Sequence, residues 1–155
     1  MATFNEIKTY IAGIITAGSY GTFYSTNARE FANLTQKTNT TAVLILLDSP
    51  LITSENTYTE GGRVLRGYNL PFFLLKYAKD EFTEDQIDDI YSAVEDVASQ
   101  LFWDLNKGNT TLFQIERMTT ERVKWITPNS FAGIKFNLPI VGTACNLAPP
   151  PEEEE

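Results

Sequence analysis

The sequence predicts an α+β domain: a largely antiparallel sheet covered on one face by two amphipathic helices. Three patterns carry this expectation. Ile87, Ile90, Tyr91, Val94, Val97, Ala98, Leu101, Phe102 and Leu105 recur at spacings of three and four, which lays one apolar stripe along a helix. Ile134, Phe136, Leu138 and Ile140 alternate with Lys135, Asn137 and Pro139, the period-two signature of a strand with one buried face. Ala42 to Leu47 is a continuous apolar run of strand length, as expected for a central strand buried on both faces.

Taken in order, the chain opens with a helix over Thr3–Thr16. Thr3-x-x-Glu6 matches a capping box, Phe4, Ile7, Ile11, Ile14 and Ile15 share a face, and Gly18 is a natural stop. Residues 19–40 are rich in Ser, Thr and Asn and read as loop with a short strand at Thr22–Tyr24. The strand Ala42–Leu47 follows. Residues 48–62 read as loop, with Ser54–Gly62 its most mobile part. Arg63–Tyr77 reads as strand. Pro71 removes a backbone donor there, so an edge position or a bulge is expected at that point.

The second helix, Thr83–Lys107, opens with a capping box at Thr83-x-x-Gln86 and a hydrophobic staple between Phe82 and Ile87. Glu84, Asp85, Asp88 and Asp89 crowd its first turns, where the helix dipole favours acids. Strand-like runs follow at Leu112–Met118, Arg122–Ile126 and Gly133–Val141, with Thr127–Ser130 as the turn of a closing hairpin. Residues 1–147 therefore read as a single α+β domain. Residues 148–155, which hold three prolines and four glutamates, read as a disordered tail.

Composition narrows the chemistry. The 155 residues include no histidine, which excludes the Ser-His-Asp triad, the Cys-His pair and His-ligated metal sites. The one cysteine, Cys145, has neither a disulfide partner nor an imidazole to activate it. Net charge is −8, half of it on Glu152–Glu155, so no broad basic excess exists to neutralise phosphates. The longest apolar run has six residues, Ala42–Leu47, against the roughly 20 a membrane span needs. The N-terminus lacks the basic and apolar regions of a signal peptide.

Several motifs carry a functional and a plain structural reading. The acids at 84–89 suit a divalent cation or acid–base work, but they equally suit a solvated helix N-terminus, and no Asp-x-Asp-x-Asp-Gly loop is present. Gly61-Gly62-Arg63 lacks phosphate-loop spacing. Arg63, Arg66, Lys76, Arg117, Arg122 and Lys124 fall mostly on strands, interleaved with Tyr68 and Trp125. They read either as the polar face of a sheet paired with neighbouring acids, or as an oligomer surface. Tyr58, Arg63, Arg66, Tyr68, Arg117, Arg122 and Lys124 are the residues nominated for that surface. No catalytic, cofactor-binding or metal-ligating residue is nominated.

The order of elements resembles the tail-terminator and tail-completion (neck) proteins of long-tailed bacteriophages. The parts that carry the resemblance are the helix Thr3–Thr16, the strands Ala42–Leu47 and Arg63–Tyr77, the helix Thr83–Lys107, and the strands within Leu112–Val141. The final passage FAGIKFNLPIVGTACNL, Phe131–Leu147, is similar to the closing strand of such proteins. The resemblance is architectural and transfers no site residues. It implies a structural virion protein rather than an enzyme, assembled in the host cytoplasm into a homo-oligomeric ring, commonly a hexamer. Its partners would be the tail-tube protein and the neck or connector, with DNA passing through the lumen without specific binding and no membrane involved. The loops at 19–40 and 48–62 would then meet tube or connector. Two other classes compete with it: a monomeric binding or adaptor module, and a carboxylate- or metal-dependent enzyme built on Asp85, Asp88 or Asp89.

Overall fold

The capping box at Thr83 sets the start of the longest helix. The Thr83 N–H donates to Gln86 Oε1 at 2.8 Å and the Gln86 N–H donates back to Thr83 Oγ1 at 3.3 Å. Two of the helix's orphan amides are thereby satisfied. The computed structural model describes residues 4–35, 43–58, 61–62, 64–78, 82–107, 117–125 and 131–145, with backbone alone for Trp125 and residues 141–145. Within these lie α1 (Phe4–Ala17), β1 (Thr22–Thr26), α2 (Ala28–Leu34), β2 (Leu44–Asp48), a 3-10 turn (Ser49–Leu51), β3 (Thr53–Tyr58), β4 (Val64–Tyr77), α3 (Glu84–Lys107), β5 (Thr119–Trp125) and β6 (Phe131–Cys145).

The fold is α+β, with three helices and one six-stranded, largely antiparallel sheet. The strand order is β1-β2-β4-β6-β5, and β3 also pairs with β4. Among the described residues only β1 and β2 run parallel. β6 follows β4 from Val64 to Tyr77, so β2 and β3 must share the other edge of β4. They divide it: β3 takes Val64–Asn69 and β2 takes Phe72–Leu75.

That division explains Pro71. The sequence predicts an edge strand or a bulge, yet β4 lies inside the sheet and Pro71 is buried. Leu70 and Pro71 fall at the changeover from β3 to β2, where the 3-10 turn carries the chain from one to the other. No strand registers with them on that side, so no ladder there needs a proline amide. A register shift against β6 does occur, but at Arg66/Tyr68.

α1 and α3 cover one face of the sheet, as expected. Ile7, Ile11 and Ile15 of α1 and Val94, Ala98, Leu101 and Leu105 of α3 pack on Ile45, Leu47, Leu70, Phe72, Leu74 and the alternating set Ile134–Ile140 of β6. Phe72 and Phe136 stack with centroids 5.3 Å apart and planes 8° off parallel. Gly133 lets β6 close on β4, because a Cβ there would run into the Leu74 carbonyl. The staple also forms, with Phe82 against Ile87. Tyr10 donates to the Leu105 carbonyl at 3.3 Å and Tyr20 donates to Asp104, tying the middle of α1 and the α1–β1 turn to the last turns of α3.

Two elements differ from expectation. Residues 19–40, read as loop around a short strand, contain β1 and also α2. Asn27 caps α2, accepting from the Glu30 N–H at 2.7 Å. Phe31 is the one residue of α2 that is fully buried, and it packs on Leu44, Leu46, Phe73, Leu75 and Phe131. The sheet thus carries a helix on its second face too, which two-helix coverage of one face does not include. The second correction concerns Ser54–Gly62, read as a mobile excursion. Thr53–Tyr58 is a strand, in unbroken antiparallel register with β4. The expected capping box at Thr3, the turn Thr127–Ser130, most of the strand Leu112–Met118 and the tail 148–155 lie outside the described residues. The closing hairpin forms as β5 and β6, Thr119↔Asn137 through Trp125↔Phe131. No helix among the described residues is long and apolar enough to cross a membrane.

Candidate interaction surface

The residues nominated from the sequence do not converge on one stripe. Tyr58 and Arg66 stand on the β3–β4 hairpin, where the Arg66 Nε–H donates to Asn56 Oδ1 across the ladder at 3.2 Å. Tyr68 turns toward the helical layer and is half-buried, its ring 6.0 Å from that of Phe4. Arg122 and Lys124 lie on β5, at the far end of the sheet, and exposed Arg117 lies just before it. Arg63 lies outside the described residues.

Arg122 already has partners within the chain. Its Nε–H donates to Glu95 Oε1 at 3.1 Å, one terminal nitrogen lies 3.7 Å from Asp88 Oδ1, and its guanidinium sits 5.0 Å from the centre of the Tyr91 ring. Two acids of α3 therefore serve to hold β5 against the helix, the plain reading of charges on a sheet's polar face. All three side chains are substantially exposed, so water screens the pairs and each contributes at most about 1 kcal/mol. Among the described residues no three of Cys, Asp and Glu come together as a metal-ligand group.

What the structure adds is a pair of open strands, β3 and β5, on opposite sides of the β4–β6 pair and offset along it. Every residue of β3 is exposed, and Tyr58 keeps 74% of its surface in water. β3 pairs with β4 along one edge, and among the described residues nothing pairs with the other. β5 pairs with β6 alone among the described residues, and Thr119, Thr120, Glu121, Arg122 and Lys124 are exposed. An open strand edge presents unpaired N–H and C=O groups, and proteins usually cover or blunt it. Sequence reasoning missed β3 because its polar residues show no alternation. The usable signal was Gly61-Gly62 between Thr/Tyr-containing β3 and the β-rich run after it, a hairpin pattern.

The second face of the sheet, beyond the reach of α2, holds a polar cleft of about 300 Å³ between β4, β5 and β6. Asn69, Arg117, Thr119, Glu121, Lys135 and Asn137 line it. A smaller hollow of about 160 Å³ adjoins it at the root of β3, sharing Asn69 and Pro139. Lys135 lies opposite Glu121 in register, with its ammonium 5.7 Å from the Phe73 ring centre. Asp48 is buried on β2, and burial pushes its carboxyl above the usual range, opposed by the charge of Lys135. Burial also raises Tyr10 and Tyr20, and in Tyr20 the hydrogen bond to Asp104 adds to the effect.

No protein-family model matches this chain, and no curated protein sequence matches it.

Proposed function

We propose that this chain is a structural virion protein of the tail-terminator type, which caps the phage tail tube and joins it to the neck or connector as a homo-oligomeric ring. The observation that carries the reading is the open sheet: two exposed strands, β3 and β5, flank the β4–β6 pair on opposite sides. Surfaces of that kind suit repeated head-to-tail association, which closes into a ring when the rotation between copies permits. The element order supports the same reading, since α1, the central strands, α3 and the closing β5–β6 hairpin follow the order that the resemblance rests on. Such a protein works by complementary surfaces, with no chemical step.

Mass in solution by light scattering, across a wide concentration range and at two salt concentrations, tests this. A ring of several 17.4 kDa chains is expected. A protein that remains monomeric both alone and with tail-tube protein refutes the reading. A second reading, a monomeric binding or adaptor module, draws on the 300 Å³ cleft with its mixed charges. A thermal-shift screen of small polar ligands that raised the melting temperature of a monomer would favour it.

A further inference from the structure

The geometry points to the polar cleft between β4, β5 and β6 as a binding site for a short peptide with free termini, its ammonium held by Glu121 and its carboxylate by Arg117. The cleft is built from one chain alone, so the site does not depend on the ring reading.

Three neighbouring strands set polar side chains side by side on this face. Asn137 stands opposite Thr119, Lys135 opposite Glu121, and Asn69 opposite Pro139, the next β6 position on the same face. Arg117 lies two residues before Thr119 and lines the same cleft. One wall therefore carries a guanidinium at one end and a carboxylate at the other, with a hydroxyl between them.

Opposite charges that face each other across a ladder ordinarily pair. Here they do not. Lys135 and Glu121 are opposite in register, yet they form no ion pair with each other. The Lys135 ammonium instead lies toward the Phe73 ring, and its charge acts on buried Asp48. Among the described residues, Arg117 and Glu121 have no ion-pair partner, and the side chains of Asn69, Thr119 and Asn137 have no hydrogen bond. Arg122 is the contrast. It stands next to Glu121 in sequence, on the opposite face, and both Asp88 and Glu95 pair with it.

Charges of opposite sign set apart along one wall select a ligand with the reverse dipole. The span from Arg117 to Glu121 is about 13 Å in extended chain, and an extended tripeptide covers about 10 Å of it. The Arg117 and Glu121 side chains lean across the remainder. A guanidinium takes a terminal carboxylate through two parallel hydrogen bonds. The carboxamides of Asn69 and Asn137 each present donors and an acceptor, which is what a peptide bond requires of its surroundings. A volume of about 300 Å³ suits a molecule of this size.

Ligand-observed saturation-transfer NMR tests the site on the full chain. The probes are trialanine, N-acetyl-trialanine, which lacks the ammonium, and trialanine amide, which lacks the carboxylate. Because water reaches the charges, trialanine should bind with a dissociation constant on the order of 1 mM, and each capped form about three- to fivefold more weakly. Arg117→Gln should remove the preference for trialanine over its amide and keep the preference over the acetylated form. Glu121→Gln should do the reverse. Lys124→Gln, exposed on the other face, should change neither. Absence of transfer to trialanine at ten times that concentration overturns the site. Equal binding of all three probes overturns the dipolar mode of recognition. Preferences that survive both Arg117→Gln and Glu121→Gln, or that Lys124→Gln also removes, place the peptide elsewhere and overturn the assignment.

Discussion

β4 contains two regions that are paired alike and buried differently. From Leu70 to Leu75 it has strands or a turn on both sides and apolar layers on both faces, and all six residues are buried. From Val64 to Tyr68 it also has a strand on each side, β3 and β6, yet those residues are only half-buried. Hydrogen-bonded pairing is therefore not what separates the core of this sheet from its hairpin arm. Helices α1, α3 and α2 close the faces of the first region, and the second meets them at Tyr68, beside Phe4 of α1. In the arm the ladder stands almost alone, and a ladder alone stabilises little in water.

Substitutions can break this contrast. The largest expected effect is Phe72→Ala or Phe136→Ala, each costing about 3–5 kcal/mol by denaturant unfolding, since each empties a buried aromatic site. Tyr58→Ala in the arm should stay within about 0.5 kcal/mol, as expected for an exposed site away from any cap or core contact. Equal costs at the two sites would abolish the distinction between core and arm. A double-mutant cycle at Phe72 and Phe136 should add about 0.5–1.5 kcal/mol of coupling for the stacked pair.

Gly133→Ala comes next, at about 1–3 kcal/mol, because the added methyl meets the Leu74 backbone, which can yield only by parting β4 from β6. The cost should appear together with faster amide exchange on both strands. Asn27→Ala should cost about 1 kcal/mol through loss of the α2 cap. Its exchange signature should stay in α2 and leave the α1/α3 layer untouched. Spread into that layer would show that the two faces of the sheet are more strongly coupled than their separate clusters suggest.

The smallest effect concerns Asp48. Burial raises its folded-state pKa above the unfolded value, so the native state holds the proton more tightly than the unfolded chain. Stability from this group is full below the unfolded carboxylate pKa and is lost as pH rises through the folded value. Asp48→Asn should therefore raise the melting temperature at neutral pH, with the gain fading in acid. An equal gain at both would show that the carboxyl has no raised pKa in the native state.

Much of the fold was legible in the sequence where an element buries a repeating face. α1, α3, β2 and β6 each bury three or more residues at their own period, and each was read within a few residues of its bounds. α2 buries Phe31 and β3 buries nothing, so periodicity had no purchase on either. Asn27 and Glu30, three apart, were the one local trace of α2. The order of strands was not legible. Thr22–Thr26 gives no sign that it runs parallel to β2, and Pro71 argued for an edge although β4 lies between partners, because the changeover from β3 to β2 is a long-range fact. The candidate surface scattered for the same reason. Tyr58 and Lys124 look equivalent along the chain and lie on strands on opposite sides of the β4–β6 pair.

The long pairing of β4 with β6 also has a consequence in time. Residues 78–130, α3 among them, separate the two strands in the chain. Closing so distant a pair is slow in comparison with forming a helix. During synthesis β4 leaves the ribosome well before β6 exists, and the apolar run Phe72–Leu75 waits with one side unpaired. Nascent chains of this protein should be most prone to aggregate in that interval. An early-forming α3, laid over β4 before β6 arrives, would be the chain's own means of shielding it.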